Sequence, residues 1–157
     1  MSAFVIYINL PRYLGEWARH KFGDQVVFPR ASPQNAIIRA YTSKLPKGAV
    51  PDAAAPGLTA VAIPDSVAKP PEVYNYMGER GKAAVAESIK DLFLRELWAD
   101  MTPLRESAVG LTSLIAAWCE ANGISIDNVE AVRQCYYRIR KEFARSDINL
   151  RNFTRKK

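Results

Sequence analysis

FVIYINLPRYLGEWARHKFG, residues 4–23, carries the pattern that decides the fold. Residues 4–9 are β-branched, aromatic or otherwise apolar up to Asn9. In an extended chain Phe4, Ile6 and Ile8 fall on one face and Val5 and Tyr7 on the other, which is strand composition at a period of two. A strand apolar on both faces must be buried or paired. The period then changes. Pro11 suits a first helical position, and Leu14, Trp17, Ala18 and Phe22 form a stripe at helical spacing that stops at Gly23. A strand followed at once by an amphipathic helix predicts an α+β protein.

Working outward, residues 25–28 read as a short second strand closed by Pro29. Ser32-Pro33 then supplies a cap and a proline start for a helix carrying Ile37, Ile38 and Tyr41. Residues 47–57 are rich in Ala, Pro and Gly without periodicity and read as a loop, while 59–63 resume as a brief strand. Residues 64–76 form an irregular connector around Pro70-Pro71, whose Tyr74 and Tyr76, with Met77, are expected to clamp it to the core.

The second half is helical. Over 82–101, Val85, Ile89, Leu92, Phe93 and Leu97 recur at spacings of three and four. Thr102-Pro103 is expected to cap and start the next helix, with the stripe Leu104, Ala108, Leu111, Ile115 and Trp118, ended by Asn122-Gly123. Asp127-Asn128-Val129-Glu130 has the form of a capping box and opens a final helix to about Ala144. The expectation is a small N-terminal sheet with packed helices followed by a C-terminal three-helix segment. It divides into a strand-helix part at 1–64, a helical part at 65–145 containing a helix-turn-helix at 103–144, and a basic tail at 146–157.

Charge is distributed unevenly along the 157 residues, whose net is +6. Nine of the 22 Lys and Arg, but only three of the 16 Asp and Glu, lie in 128–157, which leaves 13 of each sign in 1–127. A neutral body with one basic end is suited to an anionic partner. In the last helix Val129, Val132, Tyr136, Ile139 and Phe143 make the core stripe, and Arg133, Tyr137, Lys141 and Arg145 turn the other way, flanked by Gln134 and Arg138. A helix fits the major groove, and Arg, Lys and Gln reach phosphates and base edges there. Arg151, Arg155 and Lys156 extend the footprint into the tail, with Phe153 interleaved as in arms that enter grooves or stack on single strands.

Residues 103–144 look like a helix-turn-helix unit, with a turn at 122–126 slightly longer than the tight form. The run Tyr136-Tyr137-Arg138-Ile139-Arg140-Lys141 in a small basic chain is similar to accessory DNA-binding proteins of phages and mobile elements. The strand-then-helix start at 4–22 resembles that of ribbon-helix-helix repressors, which implies a homodimer through the N-terminal strand. Val5 and Tyr7 stand where that family has polar DNA-reading residues, and the strand at 25–28 breaks its helix-helix order.

Enzymatic motifs are missing. His20 is the single histidine, in the polar turn Arg19-His20-Lys21 at a helix end, and neither it nor Cys119 and Cys135 belongs to a ligand cluster. No phosphate-binding loop is present, and Gly78-Glu79-Arg80-Gly81 reads as a helix-initiating turn. Asp91, Glu96 and Asp100 read as solvated helix residues. No stretch is apolar for the roughly 18 residues a membrane span needs, and residues 1–9 lack the basic start of a secretory signal. The expectation is therefore a cytoplasmic, non-enzymatic regulatory or accessory protein that binds nucleic acid, duplex DNA first, without a cofactor. The alternative is a protein-interaction module with no nucleic acid.

Overall fold

The structure, a computed structural model, describes residues 4–104 and 107–155, with side chains as far as 145. It is an α+β protein built on a three-stranded sheet. The chain divides into two compact units, Met1–Leu92 and Phe93–Lys157.

In the first unit β1 (Val5–Asn9) leads into α1 (Arg12–Phe22), then β2 (Gln25–Val26), α2 (Pro33–Tyr41) and β3 (Leu58–Ala62). The strand order is β1-β3-β2, with β3 antiparallel to β1 and parallel to β2. Ile6 and Ile8 are buried opposite Val61 and Thr59, and Val26 is buried opposite Val61. Alternation thus puts one face of β1 in the core and leaves Val5 and Tyr7 half-buried. Leu14, Trp17 and Ala18 of α1 are buried, as the stripe predicts, and α1 packs against β2 and β3.

The partner of β1 is β3 of the same chain. At the outer edge of β1 the Tyr7 backbone N–H donates to Asp52 Oδ2 at 3.3 Å, and the same oxygen lies 2.7 Å from Lys82 Nζ. A charged side chain against an open strand edge is one way sheets discourage strand addition.

Ser32 caps α2 as expected, its hydroxyl accepting from the Asn35 N–H, with Pro33 at the first turn. The sequence pattern does not mark Gln34 and Asn35 as interior residues, yet both are buried. Gln34 Nε2 donates to Ser88 Oγ at 3.0 Å, and Asn35 Nδ2 to the carbonyls of Phe28 and Pro29 at 3.1 and 2.9 Å. Each amide stays inside because its donors are used. At the other end of α2 Lys69 Nζ donates to the carbonyls of Arg39 and Thr42 at 2.9 and 3.0 Å, so a lysine of the connector completes the helix terminus. The connector is pinned again where Ser43 and Tyr76 exchange backbone hydrogen bonds, and Met77 is buried.

Helix α3 (Glu79–Met101) contains the division between the units, so that Val85 and Ile89 are core in the first and Phe93, Leu97 and Met101 in the second. Gly81 is a packing residue. A Cβ there would meet Met77 Cγ at 2.6 Å and Tyr41 Cβ at 2.8 Å, so only hydrogen fits between α3 and its neighbours.

In the second unit the expected helix start at 102–103 is corrected. Thr102–Leu104 is a single 3-10 turn, and α4 (Leu111–Ala121) begins only after Gly110. Thr102 Oγ1 donates back to the Trp98 carbonyl at 2.6 Å, so it serves the end of α3 and caps no new helix. Leu104 and Ala108, expected in a core stripe, are exposed, whereas Ile115 and Trp118 are buried. Trp118 Nε1 donates to Asp100 Oδ2 at 2.9 Å, giving that aspartate a structural partner beyond solvent.

Asn122-Gly123 ends α4 as predicted. Gly123 adopts φ 73°, its N–H reaches the Glu120 carbonyl, and the Ile124 N–H reaches Cys119 at 2.9 Å, with Ile124 buried beneath the turn. The capping box is a second correction. Ser125, not Asp127, caps, its hydroxyl accepting from the Asp127 N–H, and a 3-10 turn at Ile126–Asn128 precedes α5 (Val129–Arg155). The end of α5 is a third, since the helix runs to Arg155 and not to Ala144. Residues 145–155 contain neither Gly nor Pro to stop it. Cys119 and Cys135 are buried free thiols.

Candidate nucleic-acid interface

Helix α5 packs on α4 and buries Val132, Cys135, Tyr136 and Ile139, with the Tyr136 ring stacked on Trp98 of α3. At about 100° per residue this stripe covers one arc of the helix. Arg140, Arg133, Tyr137, Glu130, Lys141, Gln134, Arg145 and Arg138 fall in turn round the opposite arc. The elements that produce the face are therefore the ones that produce the core: burying the stripe aims the cations away.

Gln134, Arg138, Arg140, Lys141 and Arg145 are exposed, and Arg133 and Tyr137 are half-buried. Arg138, Lys141 and Arg145 make no ion pair among the described residues. The N-terminal part of the face is held differently. Glu130 Oε1 accepts from Arg133 Nη2 at 2.9 Å and from Gln134 Nε2 at 3.1 Å. Those bonds, the one from Arg133 foremost, hold the Glu130 carboxyl below the usual carboxylate range, and Glu130 raises Arg133 in return. Arg133 Nε is buried without an acceptor, so the stem of this side chain lies down on the helix. The Arg133 and Arg140 guanidinium carbons lie 6.0 and 5.0 Å from the centre of the Tyr137 ring, within reach of a cation–π interaction.

Two participants are not among the expected site residues. The sequence pattern marks Glu130 as a capping residue, and it counts Arg140 in the basic run 136–141 without placing it on the outer face. The signal for each is its spacing from Arg133 and Tyr137, three residues in both cases. Phe143 stacks on Trp98 with ring centres 4.7 Å apart and planes at 16°, yet stays 49% exposed. Its spacing places it in the core stripe, and in the structure it closes that stripe against solvent. The side chains of Arg151 and Arg155, and Lys156 altogether, lie outside the described residues.

His20 is exposed in the last turn of α1 beside Arg19 and Lys21, where positive charge complements the helix terminus. Among the described residues no three His, Cys, Asp or Glu side chains form a metal-holding group, and no helix is long and apolar enough to cross a membrane. No known protein family, curated protein or solved structure matches this chain.

Proposed function

We propose that the protein binds nucleic acid, duplex DNA first, through the outer face of α5, as a cytoplasmic, non-enzymatic accessory or regulatory protein. The observation that carries this reading is the trio Arg138, Lys141 and Arg145, exposed on one helix face with no ion pair among the described residues, on a chain whose residues 1–127 carry 13 charges of each sign. Unpaired cations in register along a helix meet phosphates at the spacing of a groove wall, and releasing counterions drives such binding.

The test is a salt titration of binding to a duplex and to a single strand of the same sequence. Replacing Arg138, Lys141 and Arg145 together by Ala is expected to reduce the slope of log affinity against log salt by about 3 on duplex DNA. An unchanged slope and affinity would end the proposal, and preference for the single strand would redirect it to RNA-type targets. A second reading, an assembly module without nucleic acid, is favoured by the Phe143 ring, which stacks on Trp98 and stays half-exposed. On that reading Phe143→Ala disrupts association with a protein partner, and the triple substitution leaves it intact.

A further inference from the structure

Far along the chain from the basic face, two adjoining clefts of about 450 and 460 Å³ open beside the carboxyl ends of β2 and β3, and Arg30 and Asp65 line both. The crevice beyond the carboxyl ends of parallel strands is where open α/β sheets hold ligands, and sites for small molecules span about 300–1,000 Å³. The first cleft has apolar walls from Val27, Phe28, Ala62 and Ile63.

Its polar groups are few and unmatched. Arg30 and Asp65 border the same clefts, yet neither makes an ion pair or a hydrogen bond among the described residues. Asn35 is 4% exposed and also lines the first cleft. Its amide nitrogen is committed to the carbonyls of Phe28 and Pro29, which fixes the other lobe, Oδ1, as an acceptor that meets no donor among the described residues. That oxygen stays open to solvent at the cleft wall and can accept from an occupant.

Both charge signs stand at the rim, for Arg39 and Glu72 join Arg30 and Asp65 in the second cleft. A purely anionic ligand meets two carboxylates there, and a purely cationic one meets two guanidiniums. A zwitterion with an apolar body satisfies both signs and the walls. We propose that this cleft binds a free α-amino acid with an apolar side chain. Its carboxylate pairs with Arg30, its ammonium is shared between Asp65 and Asn35 Oδ1, and its side chain lies along Val27, Phe28, Ala62 and Ile63. Charge-assisted hydrogen bonds at both ends supply orientation, and the apolar walls select the side chain.

The experiment is a titration of the full chain with leucine, followed by calorimetry and by backbone amide NMR shifts. Saturable binding at millimolar leucine is expected, with shifts at Arg30, Asn35 and Asp65. N-acetyl-leucine, which lacks the ammonium, and leucine amide, which lacks the carboxylate, are each expected to bind at least about tenfold more weakly. So are Arg30→Ala and Asp65→Asn, whose surface positions leave the unfolding transition in place. Absence of saturable binding, equal binding of the blocked compounds, shifts confined to other residues, or unaltered affinity in both variants would each overturn the assignment. None of these outcomes depends on whether α5 binds nucleic acid.

Discussion

At the scale of single residues the side chains with more than one partner govern behaviour. Glu130 sits among cations and engages both Arg133 and Gln134. Its titration, followed by NMR, is expected to have a midpoint below that of an ordinary glutamate and to move up in Arg133→Ala, since the largest cause is removed. If α5 meets phosphates, Glu130→Gln raises duplex affinity by removing a negative charge and loosening Arg133; a gel-shift comparison at one salt concentration reads this directly. Gly81 is the opposite kind of residue, important for what it lacks. Alanine is the better helix former by about 1 kcal/mol, but its methyl would press into Tyr41 and Met77. Gly81→Ala is therefore expected to lose about 1–2 kcal/mol net in denaturant unfolding. A gain in stability would show that the neighbours yield.

At the scale of elements the termini and edges carry the consequences. The C-terminus of α2 is completed by Lys69 from a connector far along the chain. Lys69→Ala is expected to cost about 1–2 kcal/mol through the lost charge-assisted bonds to the carbonyls of Arg39, Ala40 and Thr42, read as a lowered urea midpoint at unchanged slope. The edge of β1 is managed by Asp52, which engages the Tyr7 N–H and Lys82 together. Asp52→Ala opens that edge, and sedimentation velocity is expected to show more self-association than in the unsubstituted chain. An identical sedimentation profile would mean that the edge is guarded by other means. The helix stripes themselves are legible in the sequence. Leu14, Trp17 and Ala18, then Val85, Ile89 and Leu97, then Val132, Tyr136 and Ile139, are buried where their spacing puts them. Spacing does not show where helices stop. Thr102 serves the helix behind it, and α5 continues to Arg155, because a cap depends on which partner a hydroxyl finds in space and not on its letter.

At the scale of the whole molecule the sequence by itself determined the α+β class, the core stripes, the neutral body and the basic end. All four are consequences of period and composition, which are properties of the chain. Burial of one helix face also determines the direction of the other, so the outward course of Arg138, Lys141 and Arg145 is readable from spacing alone. Tertiary structure alone decided the rest. It set the strand order β1-β3-β2 with its mixed directions, because register and neighbour depend on how separated segments meet. It made Gln34 and Asn35 interior residues, because a polar side chain enters the core only where partners await it. It gave Glu130 and Arg140 to the face around Tyr137, and it left Arg30 and Asp65 bordering the same clefts without a partner among the described residues. Periodicity says which side of an element is apolar, and only three-dimensional contact says which polar groups are matched and which still await a partner.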